Sequence, residues 1–276
     1  MEKRRYALLI AYDGGAFRGF QRQPGLPTVQ ERLEEALLGL GVRTHLEYAA
    51  RTDAGVHALA QVVTFGAPPG LDVARLRAAV NAATPDAILC LDAAEVPARF
   101  HARASARSRR YVYLVGWPAP PGLAPYAWSL PDARAFPDLA APALDLARAR
   151  DALARAVGEH DFGGFARPGE QTARRRYDPR ATVRTVTRAD VVAASWAPLA
   201  AMVLEGQGFL RAMVRNLVGT AVAAGVGAVE PGRVEEILAR PGERYRGVRA
   251  PGWGLTLASV SYDASPFGGA AGSRGG

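Results

Sequence analysis

Segments with the two-residue period of β-strands alternate with segments of helical period along this sequence, and that order limits the fold more than any other feature. The predicted strands are 5–11, 45–50, 59–65, 87–96, 181–189, 201–205 and 255–262. The predicted helices are 71–83, 144–157 and 234–239, together with one that begins at Thr28 and one that begins at Phe209. The two halves have a similar element order, which predicts an α+β protein with an internal pseudo-duplication.

A basic, strand-like segment begins at Phe100. If it is one continuous strand, the residues on one face are His101, Arg103, Ser105, Arg107, Arg109, Tyr111 and Tyr113. That face is basic and ends in two aromatic side chains. The Pro-rich segment 118–131 that follows predicts an irregular excursion on the surface.

The octet Arg51-Thr52-Asp53-Ala54-Gly55-Val56-His57-Ala58 lies between two predicted strands. An Asp followed by Gly two residues later is common in turns, so a structural role has to be considered first. The octet also sets a carboxylate beside an arginine in a turn of small residues. That combination is typical of an active-site loop.

The charge of the chain predicts a polyanionic partner, foremost a nucleic acid, because the formal net charge is +8 and the pI is near 10.1. Lys3 is the only lysine, so arginine carries nearly all of the positive charge. Arginine suits bidentate phosphate contacts, although a coding bias toward Arg and Ala would give the same counts. The arginines predicted to form an RNA-binding surface are Arg18, Arg22, Arg103, Arg107 and Arg109.

Cysteine content and the apolar runs predict a cytoplasmic protein. Cys90 is the only cysteine, which excludes an internal disulfide and a thiolate metal cluster. The apolar run after Arg5 stops at Asp13, so no targeting segment is visible. The longest apolar run, 209–229, contains Arg211, Arg215 and Asn216, which argues against a membrane span.

Further motifs stand in a fixed order around the octet. They are Tyr12 to Gln23 with the helix start Thr28-Val29-Gln30-Glu31, then Phe100-His101-Ala102-Arg103, Tyr111-Val112-Tyr113, Asp161-Phe162-x-x-Phe165, Gly208 to Gly219, and Gly254-Leu255. With the octet, they resemble the tRNA pseudouridine synthases of the TruA family over almost the full length of the chain. The resemblance implies an enzyme that isomerises uridine to pseudouridine at positions thirty-eight to forty of the tRNA anticodon arm.

The resemblance also implies roles for individual residues. Asp53 is the expected catalytic residue, acting as nucleophile or as base toward the sugar of a flipped uridine. Tyr111 is expected over the target base, and Leu255 matches a pocket leucine of the family. Arg215 is our candidate for the cation that keeps Asp53 ionised. Arg51 either fills the space left by the flipped base or makes a surface phosphate contact.

The family works as a homodimer and uses neither a cofactor nor a metal ion, and we expect the same here. The resemblance implies two similar α+β, RRM-like domains whose mainly antiparallel sheets meet at a central basic cleft. We predict an N-terminal domain over 1–106 that carries the Asp53 loop, a C-terminal domain over 107–264 and a disordered tail over 265–276.

Two other classes of protein have to be weighed. Gly206-x-Gly208 follows a strand and precedes a helix, as in dinucleotide-binding turns, but Arg211 stands where the third glycine of that fingerprint belongs. The stronger alternative is a non-catalytic RNA-binding protein of RRM-like build, which the basic strand and its tyrosines fit equally well. Asp53 separates the two readings, because a pure binder gains nothing from an acid in a positive cleft.

Overall fold

The computed structural model describes residues 3–84, 87–132, 134–137, 143–167, 178 and 180–267. The chain divides into two compact units, one of Met1–Arg109 with Leu257–Gly276 and one of Arg110–Thr256. The predicted boundary after residue 106 lies close to this division. In contrast, the last strand was predicted in the second domain and groups mostly with the first unit. Compactness does not test independent folding, so the domain limits stay a prediction.

The first unit is a mixed sheet-and-helix structure. Its strands are β1 (Arg4–Tyr12), β2 (Glu47–Tyr48), β3 (His57–Ala67), β4 (Ile88–Val96) and most of β10 (Leu255–Tyr262), and its helices are α1 (Val29–Gly39) and α2 (Val73–Ala83). The strand order is β4-β1-β3-β10, with β2 added alongside β3. β1 is antiparallel to both of its neighbours, and β2 is antiparallel to β3.

Strand β1 is apolar on both faces because both are covered. Tyr6, Leu8 and Ile10 point to one side and are fully buried. Ala7 and Leu9 point to the other side, where they belong to a second buried cluster. The unbroken apolar run of this strand therefore reflects burial on two sides rather than one.

The two helices of this unit begin at side-chain caps that the sequence indicates. The Thr28 hydroxyl accepts a hydrogen bond from the Glu31 backbone N–H at the start of α1. At the start of α2, the Asp72 carboxylate accepts from the backbone N–H groups of Ala74 and Arg75. The predicted helix start at Thr28 is confirmed, and α2 begins two residues later than predicted.

The second unit has the same mixed character. Its strands are most of β5 (Ala106–Gly116), β6 (Trp128–Ser129), β7 (Gly158–Asp161), β8 (Val183–Ala193) and β9 (Leu199–Gly206), and its helices are α3 (Leu146–Ala154), α4 (Met213–Gly225) and α5 (Arg233–Leu238). The order is β5-β9-β8-β7, with β6 parallel to β5. β8 is antiparallel to β7 and to β9. The prediction of an α+β protein with mainly antiparallel strands is confirmed.

Helix α4 is the central helix of the second unit. All of its residues except Arg215 are buried, which explains why the sequence is apolar all around this helix. It packs against α3, where Gly225 leaves room for the chain at Leu144 and Asp145: a Cβ there would lie 2.6 Å from Leu144 Cδ1.

Three local predictions were wrong. Residues 100–105 form turns, with the Ser105 N–H bonded to the His101 carbonyl, so His101 and Arg103 do not continue the face of β5. The segment 118–131 is not only a surface excursion, because it contains β6 and the buried Trp128. The helix expected from Phe209 begins at Met213, after a non-glycine residue in the left-handed region.

Near the C-terminus, the prediction is right for the last strand and differs from the structure in the tail. The last strand runs over the predicted residues, Leu255–Tyr262. The tail was expected to be disordered from residue 265, but Phe267 is buried in the cluster that contains Ala7 and Leu9. Residues 268–276 lie outside the described part of the chain.

Candidate active site

Asp53 lies in the loop between β2 and β3 and is half-buried. Its carbonyl accepts a hydrogen bond from the Val56 N–H at 3.2 Å, and Gly55, the third residue of this turn, has φ +76. A type II turn requires a positive φ at that position, which glycine adopts without strain. The turn predicted from Asp53 and Gly55 is therefore present, and it leaves Arg51 exposed and Thr52 buried on the approach to Asp53.

The segment after β1, which contains Gly14, Gly19 and Phe20, contacts this loop and holds it in place. The Phe20 N–H donates to the Thr52 carbonyl at 3.1 Å, and the Gly14 N–H donates to His57 Nδ1 at 3.0 Å. The two segments approach so closely that side chains do not fit between them. A Cβ on Gly14 would lie 2.1 Å from the Val56 carbonyl oxygen, and one on Gly19, which has φ +102, would lie 3.0 Å from the Thr52 carbonyl oxygen.

Buried polar side chains hold the residues that lead to Asp53. The Tyr12 hydroxyl shares a hydrogen bond of 2.8 Å with the Thr52 hydroxyl. Burial raises the pKa of Tyr12 to about 12, although its hydrogen bonds to Thr52 and Gln61 act in the opposite direction. The side-chain amide of Gln61 bonds to both backbone groups of Ala50. The supporting roles of Tyr12, Thr52 and Gln61 were not predicted from the sequence. For Gln61 the available signal was a polar residue among the apolar residues of β3.

Arg109 is buried rather than presented to solvent, at 7% exposure. Its guanidinium donates to the Ala49 carbonyl at 2.9 and 3.2 Å, to the Arg103 carbonyl at 2.8 Å and to the Ala106 carbonyl at 3.3 Å. A guanidinium so engaged supports the backbone before the Asp53 loop. Arg109 is therefore not proposed as a phosphate contact.

The other four predicted RNA-binding arginines are exposed. Arg22 lies 3.4 Å from the carboxylates of Glu31 and Glu34. Arg107 pairs with Asp263, its Nε 2.7 Å from Asp263 Oδ1. Exposed ion pairs of this kind contribute little to stability and open readily for another anion.

The Tyr48 hydroxyl, in the first unit, experiences the charges of two arginines that are predicted to contact RNA, Arg51 and Arg103. Burial raises the pKa of the Tyr48 hydroxyl, and the positive charges of Arg51 and Arg103 oppose that rise. Both arginines are exposed, so they add positive potential near the start of the Asp53 loop.

In the second unit, Tyr111 and Tyr113 occupy the buried side of β5. The Tyr111 ring meets the Phe209 ring edge-on, with centroids 5.4 Å apart and planes at 90°. The Tyr113 hydroxyl donates to the Pro251 carbonyl at 3.1 Å, and burial raises the pKa of Tyr113 well above its usual range. A Cβ on Gly254 would lie 2.5 Å from the Tyr113 ring, so glycine is required just before Leu255.

Arg215 lies in the first turn of α4 and is fixed to the segment before Leu255. Its Nε donates to the Ala250 carbonyl at 2.7 Å, and the Ala250 N–H donates back to the Arg215 carbonyl at 3.1 Å. Gly219 permits this approach, since a Cβ there would lie 1.9 Å from the Val248 carbonyl oxygen. Leu255 is itself buried, at 5% exposure.

The second unit thus fixes Tyr111, Arg215 and Leu255 on neighbouring segments, and the first unit fixes Asp53 and Arg51. The predicted ion pair between Asp53 and Arg215 joins residues of different units and stays a prediction, as does the central cleft.

The first of the two glycines considered for a dinucleotide-binding turn, Gly206, serves the packing of the sheet. A Cβ on Gly206 would lie 2.5 Å from the Thr185 carbonyl oxygen of β8, and six residues separate β9 from α4. Among the described residues, no group of three or more His, Cys, Asp or Glu side chains could hold a metal ion. Within that same part of the chain, no helix has the length and apolar character needed to span a membrane.

Comparison with known proteins defines the class. A family profile described as tRNA pseudouridine synthase matches residues 152–263. Pseudouridine synthases are isomerases, so the predicted enzyme class is confirmed. A solved structure of an H/ACA RNP bound to a substrate RNA containing 2′-deoxyuridine matches with a TM-score of 0.31 and 11% identity, over 78% of this chain and 44% of that one, which is too distant to add to the argument.

Curated relatives narrow the class further. The tRNA pseudouridine synthase A of Streptococcus mutans is 35% identical over 94% of this chain and 99% of its own length. Those of two strains of Streptococcus suis are 36% identical over the same shares. The chain belongs to the tRNA pseudouridine synthase A family, which confirms the resemblance found in the motifs.

Proposed function

We propose that this enzyme isomerises uridine to pseudouridine at positions thirty-eight to forty of the tRNA anticodon arm, with Asp53 as its catalytic carboxylate. Membership of the tRNA pseudouridine synthase A family supports the reaction and the substrate. The observation that carries the role of Asp53 is its place in a turn held by the segment after β1 and by buried polar side chains. A carboxylate fixed in this way is pre-organised for a nucleotide flipped out of the helix.

The reaction balances without an oxidant, a reductant or a metal ion. The bond from N1 of uracil to C1′ of the ribose breaks, and a bond from C5 to C1′ forms. C5 loses a proton and N1 gains one. What the protein has to supply is a carboxylate near the sugar, a pocket for the base and a route for the proton, so we propose that no cofactor takes part.

Four further residues are proposed to bind the substrate. Tyr111 stacks on the target base, as its edge-on contact with Phe209 would orient it to do. Arg215 binds the substrate from α4, and Leu255 binds it from the segment after Ala250. The hydrogen bond between Arg215 and Ala250 holds these two segments together. Arg51, which is exposed beside Asp53, contacts the RNA.

The RNA surface is proposed to include the exposed arginines Arg18, Arg22, Arg103 and Arg107. We also propose a homodimer and a cytoplasmic location, in line with the family expectation and the tRNA substrate. Binding should weaken by about 0.7 to 0.9 log units per log unit of salt for each phosphate contacted. Binding that does not respond to salt would count against this surface.

The substrate assignment is tested with tRNA transcripts labelled with tritium at uridine C5. Release of label is measured for a transcript that has uridine at positions thirty-eight to forty and for one in which cytidine replaces those uridines. We expect release from the first transcript only. Equal release from both would place the target elsewhere in the tRNA, and binding without release from any tRNA would favour the RNA-binding alternative.

A further inference from the structure

Gln61 is a fully buried polar residue in the apolar strand β3, with Val62 and Val63 directly after it. A buried amide without hydrogen bonds is costly, so its partners indicate why it is tolerated. The Ala50 N–H donates to Gln61 Oε1 at 3.1 Å, and Gln61 Nε2 donates to the Ala50 carbonyl at 2.7 Å. The amide therefore satisfies both backbone groups of one residue in the loop.

These contacts take the place of a strand pairing that ends here. Glu47 and Tyr48 pair with Thr64 and Val63, and the Ala49 N–H still donates to the Val62 carbonyl at 2.9 Å. The next residue, Ala50, bonds to the side chain of Gln61. The chain can thus leave the sheet at Ala50 while its backbone polar groups remain satisfied, and Asp53 follows three residues later.

A second buried contact extends the effect to Thr52. Gln61 also hydrogen-bonds to the Tyr12 hydroxyl, which in turn bonds to the Thr52 hydroxyl at 2.8 Å. Ala50 and Thr52, on either side of Arg51, are therefore both fixed by one connected set of side chains. Connected polar networks of this kind define a single arrangement when every member is satisfied.

We propose that Gln61 is a positioning residue for the pseudouridylation reaction, because its amide sets where the chain leaves β3 and hence where Asp53 stands. This inference rests on the proposed function. Gln61 itself touches neither the substrate nor the reacting atoms. Its loss is expected to reduce the rate of the chemical step rather than the affinity for tRNA.

The chain contains a matched control. Asn81, on α2, bonds to the backbone of Cys90 on β4 in the same way: the Cys90 N–H donates to Asn81 Oδ1 at 2.6 Å, and Asn81 Nδ2 donates to the Cys90 carbonyl at 3.1 Å. The variants Gln61→Leu and Asn81→Leu each remove one amide that holds one residue by two bonds. Only the first of them touches the Asp53 loop.

The experiment measures tritium release in a single turnover at saturating tRNA, the Kd for tRNA, and the folded fraction of each variant. Gln61→Leu should lower the rate per folded molecule by roughly 10- to 100-fold, the size expected when a catalytic group is displaced by about 1 Å. Its Kd should stay within about 3-fold of wild type, and Asn81→Leu should keep the wild-type rate. A wild-type rate in Gln61→Leu, or an equal rate loss in both variants, would overturn the inference.

A second variant, Gln61→Glu, separates positioning from general damage. A protonated carboxyl can donate to the Ala50 carbonyl and accept from the Ala50 N–H, as the amide does, whereas the ionised form can only accept. Burial raises the pKa of a carboxyl group, so the protonated form is within reach at mildly acidic pH. Tyr12, the titratable group that contacts Gln61, stays neutral there because its pKa is about 12.

The rate of Gln61→Glu relative to wild type should therefore rise as the pH falls from about 8 to about 5.5, and the relative rate of Gln61→Leu should stay constant. A rate for Gln61→Glu that stays far below wild type at every pH, including about 5.5 where the buried carboxyl is protonated, would contradict the positioning role, even if Gln61→Leu did not fold. If the wild type releases label from no tRNA, the proposed function fails and the positioning role with it.

Discussion

The Asp53 loop and the segment around Arg215 hold their functional residues by different means. The loop is held by Gln61 and Arg109, whose side chains bond to its backbone, by Tyr12, which bonds to the Thr52 hydroxyl, and by glycines at which two segments touch. Arg215 is held by a nearly fully buried helix, by a hydrogen bond from its side chain to the Ala250 carbonyl and by a backbone hydrogen bond from Ala250. The first region depends on particular polar atoms, whereas the second depends on packing. Substitutions in the loop should therefore affect the reaction rate, and substitutions near Arg215 should mainly affect stability.

The largest effects are expected at the two close approaches of backbone. Gly14→Ala would place Cβ 2.1 Å from the Val56 carbonyl oxygen, and Gly219→Ala would place it 1.9 Å from that of Val248. Each should lower the free energy of unfolding by about 3 kcal/mol or more, measured by urea unfolding, because backbone has to move. At Gly39, the last residue of α1, nothing lies within 4 Å, so Gly39→Ala is the control and should gain up to about 1 kcal/mol. A small cost at Gly14 would show that the loop is looser than described.

Removal of one buried hydroxyl from each region tests the contrast directly. The Tyr245 hydroxyl contacts Thr220, Asn216 and Val248 near α4, at 2.8–3.0 Å. Tyr12→Phe and Tyr245→Phe should each cost about 1–3 kcal/mol of stability, because polar partners stay buried. Only Tyr12→Phe should also slow tritium release per folded molecule, by roughly tenfold for about 1.4 kcal/mol of lost positioning. An equal slowing in both variants would remove the distinction between the regions.

Alkaline pH offers a smaller test of the same hydroxyls. Burial raises the pKa of Tyr12 and of Tyr245 from 10.0 to about 12. The neutral form is favoured in the folded state, so this contribution to stability is complete below about pH 10 and is lost as the pH rises toward about 12. Between pH of about 9 and about 11, each Phe variant should lose about 1 kcal/mol less stability than wild type, measured by urea unfolding. Equal losses in wild type and variants would mean that neither hydroxyl is buried as described.

The smallest effect is expected at the entry to α4, where Ala212 has φ +65. Glycine adopts this conformation without the clash that a Cβ meets, so Ala212→Gly should raise the free energy of unfolding by up to about 1 kcal/mol. Ala223→Gly, inside the same helix, should lower it by about 1 kcal/mol. Thermal unfolding of both variants gives the two signs, and a loss at Ala212 would show that its methyl group is needed for packing.

The same difference between local and distant contacts explains which features could be predicted from the sequence. The turn at Asp53 was predictable because its Asp and Gly act locally, and the last strand was predictable from its residue pattern. The roles of Gln61 and Arg109 were not, because they depend on which distant backbone atoms lie opposite them. Arginine is exposed so often that the burial of Arg109 had no sequence signal. The left-handed Ala212 was missed for a related reason: tertiary packing overrides the local preference of alanine there.

The central claim is that Asp53 carries the reaction, and its most direct test is tritium release from C5-labelled tRNA by Asp53→Asn. The control is Asp72→Asn, which keeps a side chain able to cap α2. We predict that Asp53→Asn loses release by about 10⁴-fold or more while binding tRNA as the wild type does, and that Asp72→Asn remains active. Release by folded Asp53→Asn at a rate within about tenfold of wild type would contradict the account.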